Sequence, residues 1–443
     1  MRLRNAIFAI AVAAIALAAL PASAFEFHGY LRSGVGGNFR GGGQVCFQLP
    51  GAEYKWRLGN ECETYAELEF RETLYKDKSG VEMVYTGMLA YSTPQAQDYE
   101  SLNGNYDIAN RQNWIAFKNL PFLGGATVWG GKRYYFRYDA NPIDYFYFDM
   151  SGPGVGIENI DVADLFKGAV AAFQNRQGDG KQVWRVDIRA YEIPFFVGNL
   201  TIALDLGILS AQGGQQPPTA MTISPEIVVL HNWPGLLGGN NQLSFSWGMG
   251  SLAPLNAYPN GNGSSNAWQW RIVDQWVFEP IPQLAGALVF VYQDKNHVYE
   301  NPTPNAGNAS GVDWAGDSLT TWTLGVRPVW NVANYFKLQA DVAYQSLKPK
   351  VTYASGGPGG STDTRGLFKA SLAPTFAPLP GTGGSYWTRP ELRLFVTYAS
   401  WNQAAQDAGM LGQGSCAATG TSGSVFGCST EGFTFGAQIE AWW

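Results

Sequence analysis

The chain of 443 residues is short of charge. Charged residues make up 14% of it, against roughly 25% in an ordinary globular domain. The balance is acidic, with a formal net charge of −6. No basic stripe is present, so nucleic acid is excluded as a partner. His28, His231 and His297 are the three histidines, too dispersed to read as a metal site. No P-loop phosphate cradle occurs, and neither a cofactor nor an energy source is implied. The glycine-rich Gly152–Gly156 has no helical pattern behind it and reads as a turn. Asn308-Ala309-Ser310 is a glycosylation acceptor by pattern alone.

Long apolar runs are missing too, with one exception. Ala6–Leu20 is unbroken and apolar, is preceded by Arg2 and Arg4, and is followed by the small-x-small site Ala22-Ser23-Ala24. That is an export signal, and cleavage after Ala24 is expected. Beyond it nothing approaches the roughly 18 residues of a membrane helix. Cysteine is scarce: Cys46, Cys62, Cys416 and Cys428. In an exported chain they suit disulfides. Their grouping suggests Cys46–Cys62 and Cys416–Cys428, although four cysteines allow three pairings.

Aromatic residues and glycine are plentiful, at 14% and 54 residues. Many rings, many turns and little charge fit a chain whose surface is partly apolar. A transmembrane β-barrel has that signature, because its apolar face is spread over every second residue.

The alternation can be read directly. Phe25, Phe27, Leu31 and Val35 share one face, and Glu26, His28, Tyr30 and Arg32 the other. Thr64, Ala66, Leu68 and Phe70 oppose Glu63, Tyr65, Glu67, Glu69 and Arg71. Lys55 and Arg57 alternate with Tyr54, Trp56 and Leu58. Further strands are expected where Arg185, Asp187, Arg189 and Tyr191, then Lys337, Gln339, Asp341 and Gln345, then Glu391, Arg393 and Thr397, alternate with apolar neighbours. At the end of the chain, Phe433, Phe435, Ala437, Ile439, Ala441 and Trp443 form an apolar face. Thr434, Gln438, Glu440 and Trp442 form the inward one. Rings among charges point to a lumen rather than to a wet outer face. Polar loops at Tyr258–Asn266, Asn301–Gly311, Ser355–Gly366 and Gln403–Gly432 predict one rim of long loops and one of short turns.

Ala126–Asp161 is the densest stretch. A strand is expected over Thr127–Arg137, with Arg133, Tyr135 and Arg137 on one face. Pro142 breaks pairing. The run Asp144-Tyr145-Phe146-Tyr147-Phe148-Asp149 and a glycine-rich close then follow. Guanidiniums, carboxylates and rings at this density suggest the lining of a polar cavity.

Five stretches carry a specific resemblance: FHGYLRSG, CFQ…YKWRLGNECETYAELEF, VWGGKRYYFRYD…IDYFYFDMSGPGVGIENID, WTRPELRLFVTYASW and FGAQIEAWW. In this order, from residue 27 to 443, they resemble the maltoporin family of sugar-specific porins. The middle, roughly Phe166–Pro380, matches loosely. The resemblance implies a homotrimer of antiparallel barrels with about 18 strands each, embedded in outer-membrane lipid. It implies an inward third loop, and passive diffusion of maltodextrins or related linear oligosaccharides. Tyr30, Tyr65, Trp387 and Trp442 fall on the positions of the family's aromatic row. Arg32, Arg57, Glu67, Arg111, Arg137 and Asp144 fall on its polar track. A neighbouring subunit completes the row in the family, and Tyr99 is the candidate counterpart here. One further row position, in the loosely matching middle, finds no counterpart. The constriction tyrosine of the family is Phe146 in this chain, flanked by Tyr145 and Tyr147. A one-residue shift would hand the gate to Tyr147. Two other classes are kept in view. One is a general diffusion porin without sugar preference. The other is an exported glycoside hydrolase with Asp144 and Asp149 as its acid pair.

Overall fold

The structure is a computed structural model that describes residues 25–94, 107–176, 182–210, 221–260, 265–296, 298, 318–350, 362–378, 386–410 and 425–443. In chain order the strands are β1 (Glu26–Asn38), β2 (Glu63–Lys76), β3 (Glu82–Pro94), β4 (Asp107–Leu120), β5 (Ala126–Arg133), β6 (Tyr138–Ala140), β7 (Tyr145–Phe148), β8 (Gly152–Val162), β9 (Phe166–Arg176), β10 (Gln182–Pro194), β11 (Asn199–Ser210), β12 (Ile223–Pro234), β13 (Asn240–Met249), β14 (Trp268–Ile281), β15 (Leu284–Asn296), β16 (Leu319–Ala333), β17 (Phe336–Pro349), β18 (Arg365–Phe376), β19 (Glu391–Trp401) and β20 (Glu431–Trp442). All but β6 and β7 form one sheet of 18 antiparallel strands, and β1 pairs with both β2 and β20. The sheet is therefore a closed barrel. Closure pairs every edge, which an apolar bilayer demands of a spanning sheet.

The period-two pattern sets the two faces. In β17, Lys337, Gln339 and Asp341 are buried inside, while Leu338, Val342 and Tyr344 look outward. In β20, Thr434, Gln438 and Glu440 turn in, and Phe433, Phe435 and Ile439 turn out. Outward rings gather near both rims. Trp270 packs on Tyr292, Trp322 on Tyr344 and Tyr398 on Phe433 toward one rim, and Phe27 packs on Phe70 and Trp443 toward the other. Such girdles mark the two interfaces of a bilayer.

The connections between β2 and β3, β4 and β5, and each later pair up to β16 and β17 are tight turns on one rim. The opposite rim carries the connections that are longest in sequence; of the expected polar loops, Asn301–Gly311 lies outside the described residues, as do parts of Tyr258–Asn266, Ser355–Gly366 and Gln403–Gly432, and Gln403–Asp407 is a short helix. The connection from β18 to β19 is an exception on the short-turn rim: among its described residues Tyr386 is buried, with its hydroxyl donating to Asn141 of the segment joining β5 to β8 at 3.1 Å.

Two long segments also fold inward. The stretch between β1 and β2 is closed by a Cys46–Cys62 disulfide, as expected. Cys428 is disulfide-bonded as well, and Cys416 lies outside the described residues. Tyr54–Leu58 is no strand, yet its alternation holds. Tyr54 and Trp56 reach the wall at Thr321 and Thr323, and Arg57 faces the other way. Gly325 makes room for this, since a Cβ there would lie 2.4 Å from the Trp56 ring.

The second inward segment joins β5 to β8. Here two expectations are corrected. The strand ends at Arg133 rather than Arg137, because the chain leaves the wall and Phe136 takes a φ of 40°. Tyr135 then packs against Trp129 and Phe173. Gly152–Gly156 is not a turn but the start of β8. Its glycines let the strand pass large rings: a Cβ on Gly154 would lie 2.8 Å from Phe173, and one on Gly156 2.9 Å from Trp129.

Candidate functional site

The inward β6–β7 hairpin is bolted to the far wall. Tyr145 donates to Gln293 at 2.6 Å and accepts from Arg271 at 2.8 Å. Arg271 also donates to the Tyr147 and Leu255 carbonyls. The two inward segments pair back to back, with Arg57 N donating to the Pro142 carbonyl at 3.0 Å and Lys55 N to that of Ile143 at 3.4 Å. Together they bond to the wall from β13 to β19, at Gln242, Arg271, Gln293, Thr323, Asp341, Ser371 and Thr397. An open path remains along β1, β2, β4 and β20.

A cavity of about 570 Å³ occupies that path, lined by Tyr30, Arg32, Arg57, Tyr65, Glu67, Arg111, Arg137, Asp144, Phe146 and Trp442 among others. Nine of the residues singled out in the sequence as row or track positions, and Phe146, expected at the constriction, thus meet around one space. The tenth such position, Trp387, continues the row: its ring centroid is 6.3 Å from that of Trp442. Trp442 stands directly opposite Tyr30 in the β1–β20 register. The Tyr30 and Tyr65 rings are 6.1 Å apart. Four rings therefore run in sequence down one wall.

Ionised groups bound the rest of the path. Arg32 donates to Asp144 at 3.0 Å and to Glu63 at 2.6 Å, with its guanidinium 5.1 Å over the Tyr65 ring. Arg57 holds Glu61 at 2.6 Å, the Tyr30 hydroxyl at 2.6 Å and Glu440 at 2.8 Å. Glu67 accepts from the hydroxyls of Tyr65 and Tyr134, and Tyr134 in turn accepts from Arg111. Arg137 pairs with Asp149 at 3.2 Å and lies over two rings, 3.5 Å from Phe146 and 4.2 Å from Tyr134. Burial pushes the Asp144 carboxyl up, but Arg57 and Arg32 outweigh it and hold the group below its ordinary value. Burial also dominates at Asp139, where Arg57 and Arg137 only partly offset it, and that carboxyl stays above its ordinary value.

Tyr147 does not line the cavity. It is fully buried, with its hydroxyl toward Gln242 and its ring near Tyr138. The chain pivots at Asp144, where φ is 52°, and the alternation that follows sends Tyr145 and Tyr147 to the wall and Phe146 to the lumen. Tyr99 lies outside the described residues. Asp144 and Asp149 are each engaged by an arginine, Arg32 and Arg137 respectively.

Sequence reasoning missed Asp139 and Tyr258, which border the path, and Tyr134, which lines a smaller adjoining cavity that shares Arg111, Asp149 and Tyr258 with it. Strand parity hides Tyr134, because it follows the point where the wall strand ends. Asp139 sits in a hairpin of three-residue pairing, too short to show a period. Tyr258 belongs to a stretch that reads only as a polar loop.

A closed barrel of 18 strands, ringed by aromatic girdles and narrowed by inward segments, defines a porin of the bacterial outer membrane. The chain belongs to the LamB porin family, whose model matches residues 25–443. Among solved structures it is similar to Pseudomonas putida OprB at 9% identity, covering 95% of this chain and 94% of that one with a TM-score of 0.45. It is similar to Salmonella typhi OmpF, solved with daunomycin, at 12% identity, covering 95% and 98% with a TM-score of 0.42. Vibrio cholerae OmpT, in its trimer form, matches at 10% identity, covering 96% and 100% with a TM-score of 0.39. The family and the fold indicate a channel rather than an enzyme.

Proposed function

We propose that this porin is a sugar-selective passive channel for linear oligosaccharides such as maltodextrins, working as a homotrimer after removal of residues 1–24. One observation carries the reading. A continuous row of four rings, Trp387, Trp442, Tyr30 and Tyr65, faces a band of ion-paired groups across a single path. A hexose presents an apolar C–H face and a rim of hydroxyls. Rings take the first, and charged hydrogen-bonding groups take the second.

The electrostatics support a neutral cargo. Four arginines (Arg32, Arg57, Arg111, Arg137) and four carboxylates (Glu67, Asp139, Asp144, Asp149) line the cavity. With all of them ionised, the charges of these lining groups cancel. Each group already has a protein partner or neighbour, so a sugar hydroxyl joins an existing network rather than meeting a bare charge. Conduction needs binding that is weak enough to release. An affinity in the millimolar to sub-millimolar range, on the order of −4 to −6 kcal/mol, fits that need.

The test is planar-bilayer conductance of the purified oligomer, titrated with an oligosaccharide panel. Saturable block of ion current by a linear oligosaccharide is the expected result. Ion current untouched by any sugar would leave a general diffusion porin.

A further inference from the structure

The four rings do not hold one another. Trp387 and Trp442 are tilted by 51°, and Tyr30 and Tyr65 by 54°, at centroid distances above 6 Å. Neither pair adopts the offset-stacked or edge-to-face arrangement that rings prefer, so contact between the rings does not account for their angles. Something behind them must do it.

Behind them lies a buried charge cluster. Glu440 is two residues before Trp442 on β20, and Arg389 is two residues after Trp387. Neither Glu440 nor Arg389 is among the cavity-lining residues, and the side chain of each is 2% exposed. One oxygen of Glu440 accepts from the Tyr30 hydroxyl at 2.9 Å and from Arg57 at 2.8 Å. Its other oxygen accepts from Arg389 Nε at 2.8 Å and from Arg393. Arg389 also donates to the carbonyls of Tyr386 and Thr388, on either side of Trp387, at 3.2 and 3.0 Å. Its guanidinium carbon lies 4.3 Å from the Trp442 ring centroid, covering one face. Glu391 secures Arg389 from the other side at 3.1 Å.

We propose that the Arg389–Glu440 pair is the positioning device of the aromatic row, setting the angle at which three of its four rings meet the sugar. The inference rests on the sugar-channel reading. Arg389 braces Trp387 through the backbone and Trp442 through its ring. Glu440 braces Tyr30 through its hydroxyl. Both act through other residues and are positioning residues, not sugar ligands. A planar, fork-shaped cation suits this place, since it stacks on an indole while its edge serves a carboxylate and two carbonyls. A lysine ammonium keeps the charge but cannot do all three.

The test compares wild type, Arg389→Lys and Arg389→Gln as purified oligomers in planar bilayers. Sugar-induced current noise gives on- and off-rates for maltose and for maltohexaose. A misaligned row penalises a long chain, which spans several rings, more than a short one. The expected result for Arg389→Lys is an off-rate for maltohexaose raised about five-fold, with a smaller rise for maltose. Arg389→Gln is expected to exceed it. If the glutamine variant does not assemble, the lysine variant decides, because it retains the ion pair with Glu440 and Glu391. Unchanged rates in Arg389→Lys would overturn the inference and leave the sugar channel standing. An equal rise for both sugars, with an altered sugar-free conductance, would also overturn it, reducing the pair to a staple of the turn. Wild-type current that no sugar blocks would overturn both readings together.

Discussion

Removing the Phe146 ring is the sharpest test of where the path narrows. The ring borders the cavity and lies 3.5 Å from the Arg137 guanidinium carbon, which is also 4.2 Å from the Tyr134 ring. Phe146→Ala deletes the proposed steric gate and one of the two rings beside that guanidinium. A cation–π contact of this kind is worth about 0.5–1 kcal/mol at a partly exposed site. Arg137 keeps Asp149, so it is loosened rather than released. The lost ring contact and the looser guanidinium together take about 1 kcal/mol from sugar binding, close to a five-fold weaker block. Single-channel conductance should rise, as the proposed gate position requires. Phe146→Asp should widen the gate similarly. Phe146→Tyr keeps the ring, leaves conductance nearly unchanged, and restores one hydrogen bond to sugar, worth up to about 1 kcal/mol. Tyr147→Ala is the control: it excavates packing between hairpin and wall, and its cost of about 3 kcal/mol should appear as lower heat resistance of the oligomer. Single-channel recording in KCl decides the matter. Equal conductance in Phe146→Ala and wild type, with an open channel in Tyr147→Asp, would refute the placement of the gate.

Much of this architecture was legible because a barrel strand must alternate. Tyr30, Tyr65 and Trp442 fell on the inward face by parity alone, and the closed ladder leaves that parity no freedom. Loops obey no such period. Tyr134 therefore went unseen, although it ties Glu67 to Arg111. The strand expected to reach Arg137 stopped at Arg133, because burying Tyr135 against Trp129 and Phe173 competes with continued pairing. Gly152–Gly156 looked like a turn because glycine's conformational freedom and glycine's lack of bulk leave the same mark in a sequence. Here the lack of bulk mattered, beside Phe173 and Trp129. The Arg389–Glu440 pair was invisible for another reason. Its members lie 51 residues apart, and only the closure of β20 on β1 and β19 brings the segment before β19 beneath Trp442.

The remaining predictions separate stacking, charge and pH. Trp442→Ala or Tyr30→Ala should weaken oligosaccharide block by about 1 kcal/mol each while ion conductance hardly changes; block by maltodextrin equal to wild type would count against the aromatic row. Arg137→Ala should lower sugar affinity and shift the reversal potential in a KCl gradient together, and a change in neither would make Arg137 a structural partner of Asp149 alone. The pH dependence turns on Asp139, which lies in the inward hairpin and borders the cavity. Burial holds its carboxyl above the ordinary value, against the partial opposition of Arg57 and Arg137 and with help from Asp144. As pH falls from neutral, Asp139 therefore loses its charge above the range of an ordinary aspartate, while Asp144, held below its ordinary value, keeps its charge. The lining then passes from balance to an excess of one positive charge. Anion permeability should rise relative to cation permeability on the acid side, read as a drift of the reversal potential. Asp139→Asn carries that excess at every pH, so its reversal potential should start shifted toward anions and drift less. A variant that traces the wild-type profile would place the titrating group elsewhere in the lumen.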